Sequence, residues 1–295
     1  MDAIAVMLIT QGIHGLAYGM LLFLVASGFT LIFGMMGILN IAHASFFMLA
    51  AYVAFQIMQW SGSFWLALLL APIAIAGLGI LMERLMLRRI RKFKLGKAVV
   101  LFELMLTVGI MVCIEEAVKN LWGTDPEIVN VPELLRGLIH FFGMTYPVYR
   151  IFIIGLSCSI LLLLGMILFK TRLGNVVRAA VQDADMAGAL GINVPLVFTL
   201  VFGLGTWLAG VAGVAAAPML TVFPGLANQM MLDSFIVVAL GGFGSLFGAF
   251  VISMLLGELT AFGIQFFPGY STIILFGFMA LVLTIRPSGL FGEKE

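Results

Sequence analysis

Charge is scarce in this chain. Only 10% of its 295 residues are Asp, Glu, Lys or Arg, and they leave a net charge of +1; soluble domains carry roughly a quarter. So neutral a balance lacks the basic surface that nucleic-acid binding needs, and no nucleic-acid partner is expected. No Lys or Arg precedes Arg84, which argues against the positive n-region of a cleaved signal peptide. There are two cysteines, Cys113 and Cys158, both in apolar runs. They exclude a disulfide framework and are expected to be buried thiols. The three histidines are scattered and match no metal-ligand spacing. Nor does the sequence contain the Gly-x-x-x-x-Gly-Lys-Ser/Thr phosphate loop or bring together a Ser-His-Asp constellation. No catalytic chemistry, metal or cofactor is expected of this chain.

What is abundant is apolar surface. Hydrophobic residues make up 63% of the chain and the mean hydropathy is +1.20, which predicts an all-α, polytopic integral membrane bundle. At about 20 residues per span the length suits about eight transmembrane helices in a single domain over residues 1–295. The first span falls within Gln11 to Phe33, where Gly15 and Gly19 form a small-xxx-small pair. His14, near its outer end, reads as an interface histidine with a local hydrogen bond. Further spans run from about Ala42 to Trp60, Phe64 to Leu85, Ala98 to Lys119 and Ile151 to Phe169. The last follow from Leu196 to Pro218, Leu246 to Phe262 and Ser271 to Ile285, with Gly205, Ala209 and Gly213 spaced for close packing. Trp60 and Trp65 suit an interfacial aromatic belt.

Two glycine-broken segments interrupt this pattern. One holds Gly34 and Gly37, followed by Asn40, His43 and Ser45; the other holds Gly241, Gly242 and Gly244. Irregular backbone at membrane depth is tolerated only where it is buried or lines a cavity, and a pair of such breaks in opposite halves of a chain marks a candidate transport pathway. The competing readings are a tight turn with Asn40 or Ser45 capping the next helix, and glycine used only for packing. Between Pro224 and Gly241, a piece beginning at Asp233 is too short to span, so it reads as a half-helix or as a span begun near Ala227.

The charges that do occur are clustered. Arg84, Arg88, Arg89, Arg91, Lys92, Lys94 and Lys97 fall together, and twelve of the fifteen Lys and Arg lie in three segments that the positive-inside rule makes cytoplasmic. Topology explains this basic run, which is also suited to anionic lipid or a partner surface. The carboxyl terminus is then cytoplasmic and the Asn120 to Arg150 connection external. Glu103 is expected to face protein or water because an ionised group facing lipid costs about 2.5–3.5 kcal/mol. Glu116 is a further pathway candidate, although emergence from the membrane is the simpler reading.

The second basic segment is a polar island from Lys170 to Pro195. Asn175 as N-cap and Gly191 as stop predict one helix over Val176 to Leu190, with a small-residue stripe of Val177, Ala180, Val181, Ala184 and Gly188. Arg172, Arg178, Gln182, Asp183 and Asp185 lie off that stripe, where they would anchor the helix to a partner. A solvated loop helix packed on its own bundle is the alternative.

Within this island, Arg178 to Val194 reads RAAVQDADMAGALGINV. It resembles the coupling loop of LivH-type permease subunits of branched-chain amino acid ABC importers. Gly28 to Tyr52, GFTLIFGMMGILNIAHASFFMLAAY, and Ala239 to Val251, ALGGFGSLFGAFV, resemble the same family. The resemblance implies a type II importer-like permease in the bacterial inner membrane. It implies a LivM-like second permease, two ATPase subunits (LivG- and LivF-like) that carry the ATP, and a periplasmic substrate-binding protein. Arg172, Arg178, Asp183, Asp185, Ala187 and Gly191 would couple the chain to the ATPases. Leucine, isoleucine and valine are the implied solutes; relatives also serve urea, short amides and aromatic or carboxylic acids. The alternatives are a secondary transporter or channel using Glu103, Glu116, Asp233 or Glu258, and a membrane scaffold without transport.

Overall fold

The computed structural model describes residues 3–92, 98–141, 144–287 and 289–292. Lys94, Lys97 and Lys294 of the charge tally lie outside them. The apolar runs fold as helices because in hydrocarbon every backbone N–H and C=O must be satisfied within its own segment. The elements are α1 (Ala3–Met36), α2 (His43–Ser61), α3 (Phe64–Met82), a wide π-type turn (Glu83–Leu87) leading into α4 (Arg88–Lys92), and α5 (Val99–Trp122). After a 3-10 turn (Glu133–Leu135) come the strands β1 (Leu138–Phe141) and β2 (Met144–Pro147), then α6 (Val148–Lys170), α7 (Arg172–Gln182) and α8 (Ala184–Ala189). The chain finishes with α9 (Val194–Ala216), α10 (Leu226–Gly241), α11 (Leu246–Phe266) and α12 (Ser271–Ile285).

Among the described residues, five helical segments are long and apolar enough to cross a membrane: those of α1, α3 with its extension, α6, α9 and α11. α2 and α5 have the length, at 19 and 24 residues. α10 and α12 are apolar but shorter, at 16 and 15 residues. Thus α10 begins at Leu226, well before Asp233, which is the longer of the two readings of that segment. The polytopic helical bundle is as expected, but the all-α expectation misses the β1–β2 hairpin, whose antiparallel register pairs Leu138 with Pro147. Four-residue strands within a polar connection leave too short a period-2 pattern to read.

α1 is the axis of the bundle. Its Leu21, Leu24 and Val25 join a large apolar core with α2, α3 and α9, while Leu22, Ala26 and Phe29 join a smaller one with α10, α11 and α12. A helix buried on both sides needs small residues where its neighbours approach. A Cβ on Gly15 would lie 2.6 Å from Glu258 Oε2, and one on Gly257 of α11 2.6 Å from the Gly19 nitrogen. The small-xxx-small pair therefore serves the α1–α11 contact. Gly213 does the same for α9 against the Phe47 carbonyl.

Two expectations are corrected. Cys113 is exposed and Cys158 half-buried, because an apolar run in a bilayer need not face the protein: lipid solvates it equally well. His14 does not bond locally. Its Nδ1 lies 3.2 Å from the Tyr146 hydroxyl, which joins the start of α1 to β2. Burial pushes that phenol above its ordinary pKa.

Candidate pathway and coupling segment

The two glycine-broken segments meet. α1 stops because Gly37 adopts φ +65°, a left-handed conformation that closes the helix by donating its N–H to the Phe33 carbonyl at 2.8 Å. Gly34, one turn earlier, packs on Gly244 of the α10–α11 connection; a Cβ at Gly34 would lie 2.6 Å from the Gly244 Cα. Gly242 and Gly244 have positive φ, Gly241 packs against the backbone of Gly248, and the rings of Phe33 and Phe243 stand 4.6 Å apart across the junction. Breaks some two hundred residues apart in sequence thus form one contact.

Beside this contact the chain buries polar side chains. Asn40, His43 and Ser45 are all inaccessible to solvent. Neither Asn40 nor Ser45 caps α2 through its side chain; the first turn is closed by the Asn40 backbone carbonyl accepting from His43 N–H at 3.1 Å. His43 Nε2 is 3.1 Å from the Val25 carbonyl. Among the described residues, the Asn40 amide oxygen and nitrogen, His43 Nδ1 and Ser45 Oγ have no hydrogen-bond partner. Buried polar atoms left this way cost about 1–3 kcal/mol each, so a chain that keeps several has reason to.

The acids separate into distinct roles. Glu116 stands 58% exposed and pairs with Lys119, so it does not join the buried group. Asp233 accepts from the Tyr18 hydroxyl at 2.7 Å. Glu103, only 2% exposed, receives Arg91 Nε at 2.6 Å, and Arg91 Nη2 also donates to the Met36 carbonyl at 2.6 Å. Glu83, also buried, accepts from the Thr199 hydroxyl at 2.6 Å, while Arg88 reaches Glu83 at 3.6 Å, Thr199 at 3.2 Å and the Pro195 carbonyl at 2.6 Å. This network was missed in the sequence, where the arginines are explained by topology alone. Its signal was Glu83 and Glu103 flanking a basic run at a membrane boundary. It ties α4 to the last residue of α1 through Arg91, and to the first turn of α9 through Arg88.

That first turn of α9 is where the polar island ends. The island is two helices, not one. Thr171, not Asn175, caps the first, accepting from Gly174 N–H at 3.2 Å, so α7 starts four residues early. Asp183 leaves helical geometry and caps the second by accepting from Met186 N–H at 2.8 Å. The continuous small-residue stripe is therefore broken: Ala180 and Ala187 are buried, whereas Val181, Ala184 and Gly188 are exposed. Gly191, at φ +88°, does end the segment, with Ile192 N–H donating to the Ala187 carbonyl and Gly191 N–H to that of Gly188. Arg172 and Asp185 face outward. Arg178 turns back on its own bundle instead, donating to the Leu168 carbonyl and Asn175 Oδ1 and lying over the Phe169 ring.

Residues 12–283 match the family model described as the permease component of the branched-chain amino acid transport system. The chain belongs to this permease family. The permease is 31% identical to the high-affinity branched-chain amino acid transport system permease protein BraD of Pseudomonas aeruginosa, over 97% of this chain and 96% of that one. It is 28% identical to the LivH permease protein of Escherichia coli K12 with the same coverage, and 25% identical to LivM of Salmonella typhimurium over 92% of this chain and 68% of that one. No solved structure matches. As a permease, the chain is a multi-pass transport subunit of the membrane.

Proposed function

We propose that this permease is the LivH-like half of an ABC importer that carries leucine, isoleucine and valine into a bacterial cell across the inner membrane. It works with a LivM-like permease, LivG- and LivF-like ATPases that bind the ATP, and a periplasmic binding protein. The basic end of the bundle and the carboxyl terminus face the cytoplasm. The observation that carries this reading is the α7–α8 segment, a polar hinge-linked helix pair projecting between two spans in a chain of this family. Its outward Arg172 and Asp185 offer both charge signs to an ATPase surface. Pressure on α8 passes through the Gly191 turn to Pro195 and Thr199, from them to Arg88 and α4, and from Arg91 to Met36, next to the glycine contact. The unpartnered atoms of Asn40, His43 and Ser45 suit a pathway that is closed here and receives the polar groups of an amino acid when it opens.

A secondary transporter would need free intramembrane carboxylates. Glu83 and Glu103 are committed to arginines, Asp233 is bonded to Tyr18 and Glu116 is surface-exposed, which leaves that alternative only Glu258, half-buried against Gly15, of the four carboxylates it would use. The test is co-purification of the tagged chain from native membranes, with leucine uptake measured in vesicles. ATPase subunits should accompany the wild type and be lost from Ala184→Trp and Gly191→Arg, whose permease fold persists. Gradient-driven leucine flux by this chain alone, without ATPases, would overturn the reading.

A further inference from the structure

The basic run at α3–α4 divides in two. Arg88 and Arg91 turn inward to the carboxylates, whereas Arg84 and Arg89 point outward. Arg89 has no ion pair or hydrogen bond among the described residues. It stands at the mouth of a groove of about 530 Å3 between α2, α3 and α5, and every other lining residue is apolar. Phe46 forms the buried floor; Leu78, Leu81 and Leu85 on one side and Ile110 on the other form the walls. Leu81 is 53% exposed, so the groove opens sideways to the bilayer.

The groove's lining selects its occupant. Nine of its ten lining residues are apolar and it opens toward the bilayer, where acyl chains solvate such a surface. At the open end, an unpaired guanidinium at the level of the basic run matches a phosphate, for which Arg has a complementary fork of donors.

We propose that this groove binds one anionic phospholipid, with an acyl chain between α3 and α5 and its phosphate paired to Arg89. The site differs from the pathway and from the coupling segment. A lipid wedged there braces α3, and α3 continues directly into the turn and helix that carry Glu83, Arg88 and Arg91.

The test is native mass spectrometry of the purified full chain, offered equal amounts of phosphatidylglycerol and phosphatidylcholine with identical acyl chains. The wild type should retain phosphatidylglycerol over phosphatidylcholine by about five-fold. Arg89→Gln should bring that ratio to about one, Leu81→Trp should remove both lipids, and Arg286→Gln, away from the groove, should change neither. Thermal unfolding of each variant checks that it is folded. Glycerophosphoglycerol, which lacks acyl chains, should not compete; competition would reduce the site to a phosphate contact and overturn the lipid reading. Unchanged selectivity in Arg89→Gln, or no lipid retained by the wild type, would also overturn it. So would cross-linking of Leu81→Cys to a second permease chain in native membranes, which would make the groove a protein interface.

Discussion

Removing Arg91 should cost more than removing both members of its ion pair. Its Nε lies 2.6 Å from Glu103 Oε1, with the Glu103 side chain 2% and the Arg91 side chain 29% exposed. Arg91→Met leaves a carboxylate without its counter-charge inside the bundle, at about 3–5 kcal/mol. The Met36 carbonyl also loses a donor, which adds about 1 kcal/mol. Pairing Arg91→Met with Glu103→Met removes both charges, and such double replacements are often neutral. The double variant should therefore lose little beyond the Met36 bond, with a coupling term of about 3 kcal/mol or more in the cycle. Thermal unfolding of the purified full chain in detergent, followed by tryptophan fluorescence, reads this out. The single variant should melt lower by about 5–10 °C and the double should regain more than half of that. If Arg91→Met melts no lower than the double variant, the pair is not a buried ionic contact and the route from α4 to α1 fails.

Gly34→Val should keep the subunits together yet abolish uptake, because its side chain enters the space of Gly244; ATPase co-purification and leucine uptake measured together check this. Asn40→Leu replaces an unpartnered buried amide by an apolar group, so it should raise the melting temperature by a few degrees while uptake falls, whereas a fall in both would show a structural role. Thr171→Ala and Asp183→Ala each remove a helix cap at about 0.5–2 kcal/mol. Hydrogen exchange should show the first loosening α7 alone and the second α8 alone, and loosening of both by either would argue for one continuous helix. Glu116→Gln should leave uptake within two-fold of wild type, since its partner is the surface Lys119.

The bundle was legible because its signals are local: an apolar run of about 20 residues means a span wherever it packs. The glycine breaks were equally plain as positions, but that Gly34 packs on Gly244 is seen only in the folded chain. The helix break at Asp183 was hidden because Asp is read as one more polar residue until its side chain is seen accepting from Met186. Arg88 and Arg91 were read as topology for a similar reason. Sequence counts a charge, whereas burial decides what it does, and Glu83 and Glu103 meet their arginines only through the wide turn at Glu83–Leu87 and the return of α5. The burial of Asn40, His43 and Ser45 was foreseeable as a location, but their lack of partners was not, since that depends on every neighbour at once.

α1 also serves as a ruler. At 34 residues it is roughly 51 Å long, while the hydrocarbon layer is about 30 Å. Even at a tilt of 40° it would cover about 39 Å of depth, so part of it stands clear of the acyl chains. From His14 to Met36 is about 33 Å, close to one bilayer. The Tyr146 contact at His14 and the Arg91 contact at Met36 therefore stand about one bilayer thickness apart along α1. The turns before His14 extend beyond that length, on the hairpin side, so α1 is longer than one crossing requires.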